Sequence, residues 1–334
     1  MKAFAQAALA GLLVLASGAV ASAEDALKAT IGVLRLSSSA PVFIAEDKGY
    51  FRDAGLNVQL KFFDAAQPIA VATTSGDVDF GITAFTAGLY NLAGKGTLKV
   101  IGGMSRERPG YPLIGYFASK KAYAAGLKTP KDLAGKRVAV TQVGSSFHYS
   151  LGLLADKYGF KLSDVKIVPL QSLSNAAAAL KGETVDAALL PVSTARKLMD
   201  SGDAKLLGWV GDETPWQLGA VFASPKTLAN KALVTKLLAA LERADREYHD
   251  VVLSSVKDGK AELNEQTKPL LEIIAKYTNL PVEQVVGNCA YIDPDGKLDV
   301  KNVDNQIKWL QAQGFVDKGF DAESIIAKDF VKAD

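Results

Sequence analysis

The chain has 334 residues, is 49% hydrophobic and 22% charged, and carries a formal net charge of +2. That length exceeds one small core and predicts two domains, and the composition is that of a soluble globular protein. A near-neutral chain without a basic run has no bulk electrostatic attraction for nucleic acid or an acidic membrane, and a lone Cys289 excludes an intrachain disulfide.

The first predicted element is a processing segment. Lys2 supplies the positive start, Ala7 to Val20 is apolar, and Ala21-Ser22-Ala23 matches the small-x-small cleavage rule before Glu24-Asp25. This pattern predicts a secretory signal peptide over residues 1–23, cleaved after Ala23. No cysteine lies at that point to carry a lipid, and no later apolar run reaches the ~18 residues of a membrane span.

Thr30 to Leu36 then reads as an apolar strand interrupted by Arg35, followed by Ser37-Ser38-Ser39 and a helix opened by Pro41. Asn57 to Phe63 alternates as a strand, Ile69 to Ser75 as a short helix, and Val78 to Ile82 as a buried strand. Thr83 to Thr86 is a loop, Ala87 to Ala93 starts a helix, and Lys99 to Gly102 is a further strand. Strand–helix alternation predicts an α/β fold with mainly parallel sheets.

The next segment repeats the plan. Val138 to Thr141 stands 107 residues after Ile31 to Leu34, and Asp186 stands 107 after Asp79. Gly144-Ser145-Ser146 answers Ser37-Ser38-Ser39, and Asp164 to Leu170 answers Asn57 to Phe63. Shared α/β grammar accounts for part of such a match. Two similar runs, Gly115 to Ser119 and Gly219 to Ser224, are read as crossover strands between the halves. They predict one lobe of residues 24–118 plus 220–334 and a second of 119–219. The remainder is mostly helical over Leu228–Ser255, Thr267–Thr278 and Val303–Gln313, with further helix starts expected at Asp293-Pro294 and Asp321-Ala322-Glu323.

Signatures of catalysis are thin. Two histidines, His148 and His249, and one cysteine give no clustered metal-ligand spacing and no nucleophile elbow. We expect no catalytic residues, no cofactor and no metal. Asp79 and Asp186 take equivalent places in the repeats, which favours a repeated structural role such as capping over acid/base chemistry.

Signatures of binding are better. Open α/β sheets hold ligands beyond the C-terminal ends of their strands. Those ends read Leu36-Ser37-Ser38, Thr83 to Thr86, Gln142 to Tyr149 and Leu190 to Ser193, rich in hydroxyls and poor in charge. The central stretch is Gly135 to Ser150, GKRVAVTQVGSSFHYS: a strand, a glycine turn and a helix starting at Ser145 or Ser146. Free N–H groups and the helix dipole favour an anion there, although an ordinary capped helix reads the same way in isolation. Phe85, Phe147, Tyr149 and Trp216 are candidates to pack on a ligand, with core packing as the alternative for each. Arg35 lies near the C-terminal end of its strand and close to any cleft. Arg106 to Gly110 reads as a charged loop. His148 is either a donor to an anion or an exposed first-turn residue.

The stretches PVFIAEDKGYFRDAGLNVQL, SGDVDFGITAFTAGLYNLAGKG, DLAGKRVAVTQVGSSFHYSLGLLADKYGF and ALKGETVDAALLP together resemble the periplasmic substrate-binding proteins of bacterial ABC importers. The similar group is that of the nitrate, taurine and alkanesulfonate binders and thiamine-pyrimidine binders, the NMT1/THI5-like proteins. The resemblance implies a two-lobed α/β periplasmic-binding-protein fold of class II with a ligand cleft between lobes that close by a hinge. It implies that Gly144, Ser145 and Ser146 hold an anionic head, with Ser37, Ser38, Ala84, Phe85 and Thr86 on the first-lobe loops. Phe147, His148, Pro191 and Trp216 complete the expected ligand set, with Arg35 and Tyr149 as further candidates. The implied partners are a small organic anion, a sulfonate or carboxylate, and the permease and ATPase subunits at the inner membrane, with the receptor a periplasmic monomer. Two alternatives stay open: a thiamine-pyrimidine precursor binder or synthesis enzyme, against which the missing cysteine cluster and the export signal argue, and a ligand sensor.

Overall fold

Short apolar runs, each followed by a helical segment, fold here as parallel strands covered by helices. The structure is a computed structural model that describes residues 26–334, so the signal peptide and its cleavage site lie outside the described residues. In chain order the strands are β1 (Leu27–Leu34), β2 (Leu56–Phe63), β3 (Phe80–Ala84), β4 (Lys99–Gly103), β5 (Ser105–Glu107), β6 (Ile114–Ser119) and β7 (Arg137–Val140). They continue as β8 (Lys166–Pro169), β9 (Ala187–Pro191), β10 (Ala204–Trp209), β11 (Trp216–Gln217), β12 (Gly219–Ala223) and β13 (Tyr291–Ile292).

Two five-stranded sheets form, ordered β2-β1-β3-β12-β4 and β10-β6-β9-β7-β8. In the first, β12 runs antiparallel between β3 and β4, and in the second, β6 runs antiparallel between β9 and β10. The other strands of each sheet share one direction. The sequence repeat survives as register: Thr30 faces Gln59 and Ile31 faces Phe80, while Arg137 faces Lys166 and Val138 faces Ala187, each residue 107 positions later. Asp79 and Asp186 do the same work in the two sheets. Asp79 accepts from the Thr30 amide at 2.8 Å and Asp186 from the Arg137 amide at 2.8 Å, so each carboxylate satisfies the neighbouring strand just before β3 or β9 begins to pair.

The two runs read as crossover strands, Gly115 to Ser119 and Gly219 to Ser224, fall on β6 and β12, each inside a five-stranded sheet, and the short strands just before them, β5 and β11, pair in a small third sheet, β11-β5-β13. The charged run read as a loop is therefore partly a strand, with Trp216 opposite Glu107 and Gln217 opposite Arg106. Tertiary pairing overrides the local charge pattern: Arg106 bonds the Asp334 carboxylate at 2.6 Å and the Lys297 carbonyl at 2.8 Å, and Glu107 is buried.

The C-terminal part supplies helices Lys231–Glu247, Lys268–Thr278 and Val300–Ala312. The helix expected at Asp293-Pro294 does not form. Asp293 Oδ1 accepts from the amides of Asp295 and Lys297, a side-chain turn that competes with helix initiation. Asp321 does cap the short helix Ala322–Ile325. The Val300–Ala312 helix buries Val303, Ile307 and Leu310 with the first sheet's core, while Trp309 reaches across to the helix Ser146–Tyr158. There its Nε1–H donates to Asp156 at 3.1 Å, and the ring lies against Gly152, where a Cβ would come within 1.9 Å.

Candidate functional site

The C-terminal ends of β1, β3, β7 and β9 face one partly open cavity, which leaves about 50 Å³ for the centres of water-sized molecules and is walled by residues of both halves. This is where a doubly wound α/β sheet leaves room for a ligand, because its strands end while its helices have not yet begun. Leu34 and Ile82 bring apolar wall from the first sheet, Pro191 from the second, Phe147 from the helix Ser146–Tyr158, and Met104 and Leu218 from the links beside β5 and β11.

Four helices begin at the cavity wall. Ser39 is the N-cap of Ala40–Asp47 and Ala65 the N-cap of Ala66–Ser75; neither side chain makes a capping hydrogen bond. Ser146 and Leu173 are the first residues of Ser146–Tyr158 and Leu173–Lys181. Ser145 and Ser172 cap the last two through the His148 and Asn175 amides, and the Ala40 amide bonds the Ser37 carbonyl, so the N–H groups left over and the helix dipoles together favour an anion at the wall without a cation. No Asp, Glu, Lys, Arg or His is among the wall residues.

Six hydroxyl side chains also reach the wall: Ser38, Ser39, Thr83, Ser105, Thr141 and Ser146. None of the six makes a side-chain hydrogen bond among the described residues, and Thr83 Oγ1 is fully shielded with the residue only 7% exposed. Hydroxyls elsewhere near the site are committed. Ser37 donates to Asn288 Oδ1 at 2.9 Å, Thr86 caps the helix Ala87–Gly94 and donates to Gln67 at 2.6 Å, and Ser145 accepts from the His148 amide at 3.4 Å.

Of the residues expected from sequence, Ser38, Ala84, Ser146, Phe147 and Pro191 therefore stand on the cavity wall. Ser37, Phe85, Thr86, Gly144, Ser145, His148 and Trp216 are not on the wall, nor are Tyr149 and the exposed Arg35. Phe85 stacks on Tyr90 with ring centres 5.0 Å apart, and Trp216 packs edge-on to Tyr149 at 4.9 Å. Arg35 lies over the Phe62 ring at 3.6 Å and donates to the Tyr277 carbonyl. Gly144 joins the two halves: its carbonyl accepts from the Ala87 amide at 2.8 Å, and its φ of +75° needs glycine. Thr83 stands in a strand end expected to face the ligand but outside the expected ligand set, and Ser105, Thr141 and Leu173 are wall residues the sequence did not single out. Thr83 and Thr141 carried a usable signal, being hydroxyls at strand C-termini; Ser105 and Leu173 carried none.

His148 is buried with its Nδ1 accepting from the Gly144 amide at 3.0 Å and its ring 4.9 Å from that of Phe315. Burial lowers its pKa, so it is a neutral, structural imidazole. Burial likewise pushes the Cys289 thiol up to about 12, far from a reactive thiolate. Among the described residues, no three His, Cys, Asp or Glu side chains gather as a metal site, and no helix is long and apolar enough to cross a membrane.

A family model described as NMT1/THI5 like matches residues 37–249. The taurine-binding periplasmic protein of Escherichia coli K12 is 27% identical over 227 residues, 65% of this chain and 67% of that protein. Among solved structures, the alkanesulfonate-binding protein SsuA from Xanthomonas axonopodis pv. citri, bound to MOPS, superposes with a TM-score of 0.70 at 21% identity, covering 93% of this chain and 100% of that one. The nitrate-binding protein NrtA from Synechocystis PCC 6803 superposes with a TM-score of 0.69 at 13% identity, covering 91% and 86%. The sequence match and the cleft-bearing architecture agree: the chain belongs to the NMT1/THI5-like family and has the two-lobed fold of the periplasmic binding proteins.

Proposed function

We propose that this protein is a non-catalytic extracytoplasmic receptor of an ABC importer that captures a small organic anion, a sulfonate or carboxylate, between its lobes. The observation that carries this reading is the cavity itself: four helix N-termini and six uncommitted hydroxyls converge on it, with no ionisable side chain. Such a site supplies donors to an oxyanion from fixed dipoles, each helix start contributing about 0.3–1 kcal/mol and more when dry. The taurine-binding relative favours a sulfonate head, and the head alone, since taurine also carries an ammonium group. In this reading the lobe built on the first five-stranded sheet closes on the lobe built on the second, which includes β6, about the β5–β11 ladder, and the closed monomer docks on permease and ATPase partners. The signal peptide delivers it to the periplasm.

Thermal denaturation in the presence of small sulfonates and carboxylates tests the reading. A binder at a hundredfold excess over its Kd stabilises the folded state by about 2.7 kcal/mol. Stabilisation by neutral or cationic compounds alone would refute it.

A further inference from the structure

The wall chemistry restricts the ligand's tail as well as its head. An ammonium group inside this cavity meets no carboxylate, because no acidic residue stands on the wall. It also meets the positive ends of four helices, which repel it as they attract an oxyanion. Asp64, next to the wall residue Ala65, is exposed and is not on the wall, and Glu107, two positions after Ser105 on β5, is buried and also not on the wall. Burial raises the pKa of Glu107 well above the carboxylate range. Away from the hydroxyls, the wall offers Leu36, Leu113, Ile114 and Leu173, which suit an alkyl or aryl group and cannot solvate a charge.

We propose that the cavity selects oxyanions whose remaining body is apolar and uncharged, and rejects ω-ammonium zwitterions of the same length. This rests on the anion reading above. Enclosing an unpaired ammonium costs several kcal/mol, while the same volume of methyl or phenyl gains by burial. Discrimination comes from what the wall lacks as much as from what it supplies.

Isothermal titration of the whole mature protein, unfolded and refolded to strip any carried ligand, separates the possibilities. The probes are 1-propanesulfonate, benzenesulfonate, butanoate and 3-aminopropane-1-sulfonate. The expected result is binding of at least one ammonium-free anion, with 3-aminopropane-1-sulfonate weaker than 1-propanesulfonate by about a hundredfold or more. Equal or tighter binding of the amino compound would overturn the selectivity while leaving the anion reading intact. Failure of all four probes to bind would overturn both.

Discussion

Thr83→Val is the substitution that best separates a binding cavity from an ordinary packing defect. Thr83 is the penultimate residue of β3, its Oγ1 has no partner, and the residue is 7% exposed. A shielded hydroxyl without a partner costs the folded protein about 1–3 kcal/mol. The Oγ1 is shielded from solvent, so bulk water does not recover this cost. Valine keeps the shape and removes the orphan. The unliganded variant should therefore be more stable than the parent by about 1–3 kcal/mol. A hydroxyl bonded to a charged ligand contributes about 1.5–3 kcal/mol, so affinity for a sulfonate that binds the parent should fall about 10- to 100-fold. Urea denaturation without ligand and calorimetric titration with it measure the two halves. Thr86→Val is the control. Its hydroxyl accepts from the Leu89 amide at 3.0 Å, so losing that cap should cost about 1 kcal/mol of stability and leave affinity nearly unchanged. A Thr83→Val protein that is less stable and binds as before would refute the assignment.

Ser145→Ala and Ser146→Ala should part company: the first loses the cap of its helix and about 1 kcal/mol of stability, and the second loses affinity at little cost in stability. Calorimetry and denaturation of both variants check this, and loss of affinity in the first alone would reverse the roles. Gly144→Ala places a Cβ 2.6 Å from that of Ala87 at a φ of +75°, which strains the turn by about 1–2 kcal/mol and pries the halves apart. Adding Ala87→Gly should restore part of the lost affinity by relieving the clash, while leaving the backbone strain; no recovery in titration would show that contact between the halves is irrelevant. Asp245 has an unpaired Oδ1, and burial, reinforced by Asp293 and Glu242, raises its pKa well above the carboxylate range. Its unfolded carboxyl titrates near its ordinary value of about 4, so the folded state holds the extra proton and stability falls as pH rises above that value. The stabilising effect of Asp245→Asn should therefore grow from pH 5 upward by about 1.4 kcal/mol per unit until the folded pKa is passed. A difference flat in pH between 5 and 8, measured by urea denaturation, would contradict this.

The repeat was legible because it is written in local patterns. A 107-residue offset in apolar runs and in Asp79 and Asp186 needs no knowledge of distant contacts, and it reappears as matching register in both sheets. The Gly144 turn was legible for the same reason, since glycine before two serines specifies a positive φ and a capped helix. The Arg106 to Gly110 run misled because its burial partners are remote: Asp334 and the Lys297 carbonyl lie about two hundred positions away and turn a charged segment into a strand.

What the sequence determined by itself was the α/β alternation, the doubled plan and the strand ends at which a ligand would sit. Only the tertiary structure decided which hydroxyls remain free to bind it. Ser37 and Ser38 are neighbours of identical chemistry, yet Ser37 is spent on Asn288, 251 residues away, while Ser38 faces the cavity. Ser145 and Ser146 divide in the same way between cap and wall. Chain periodicity fixes which residues stand at an element's end, but a hydroxyl's partner is set by whatever the fold brings within about 3 Å of it, and that is a property of the closed packing rather than of the local pattern.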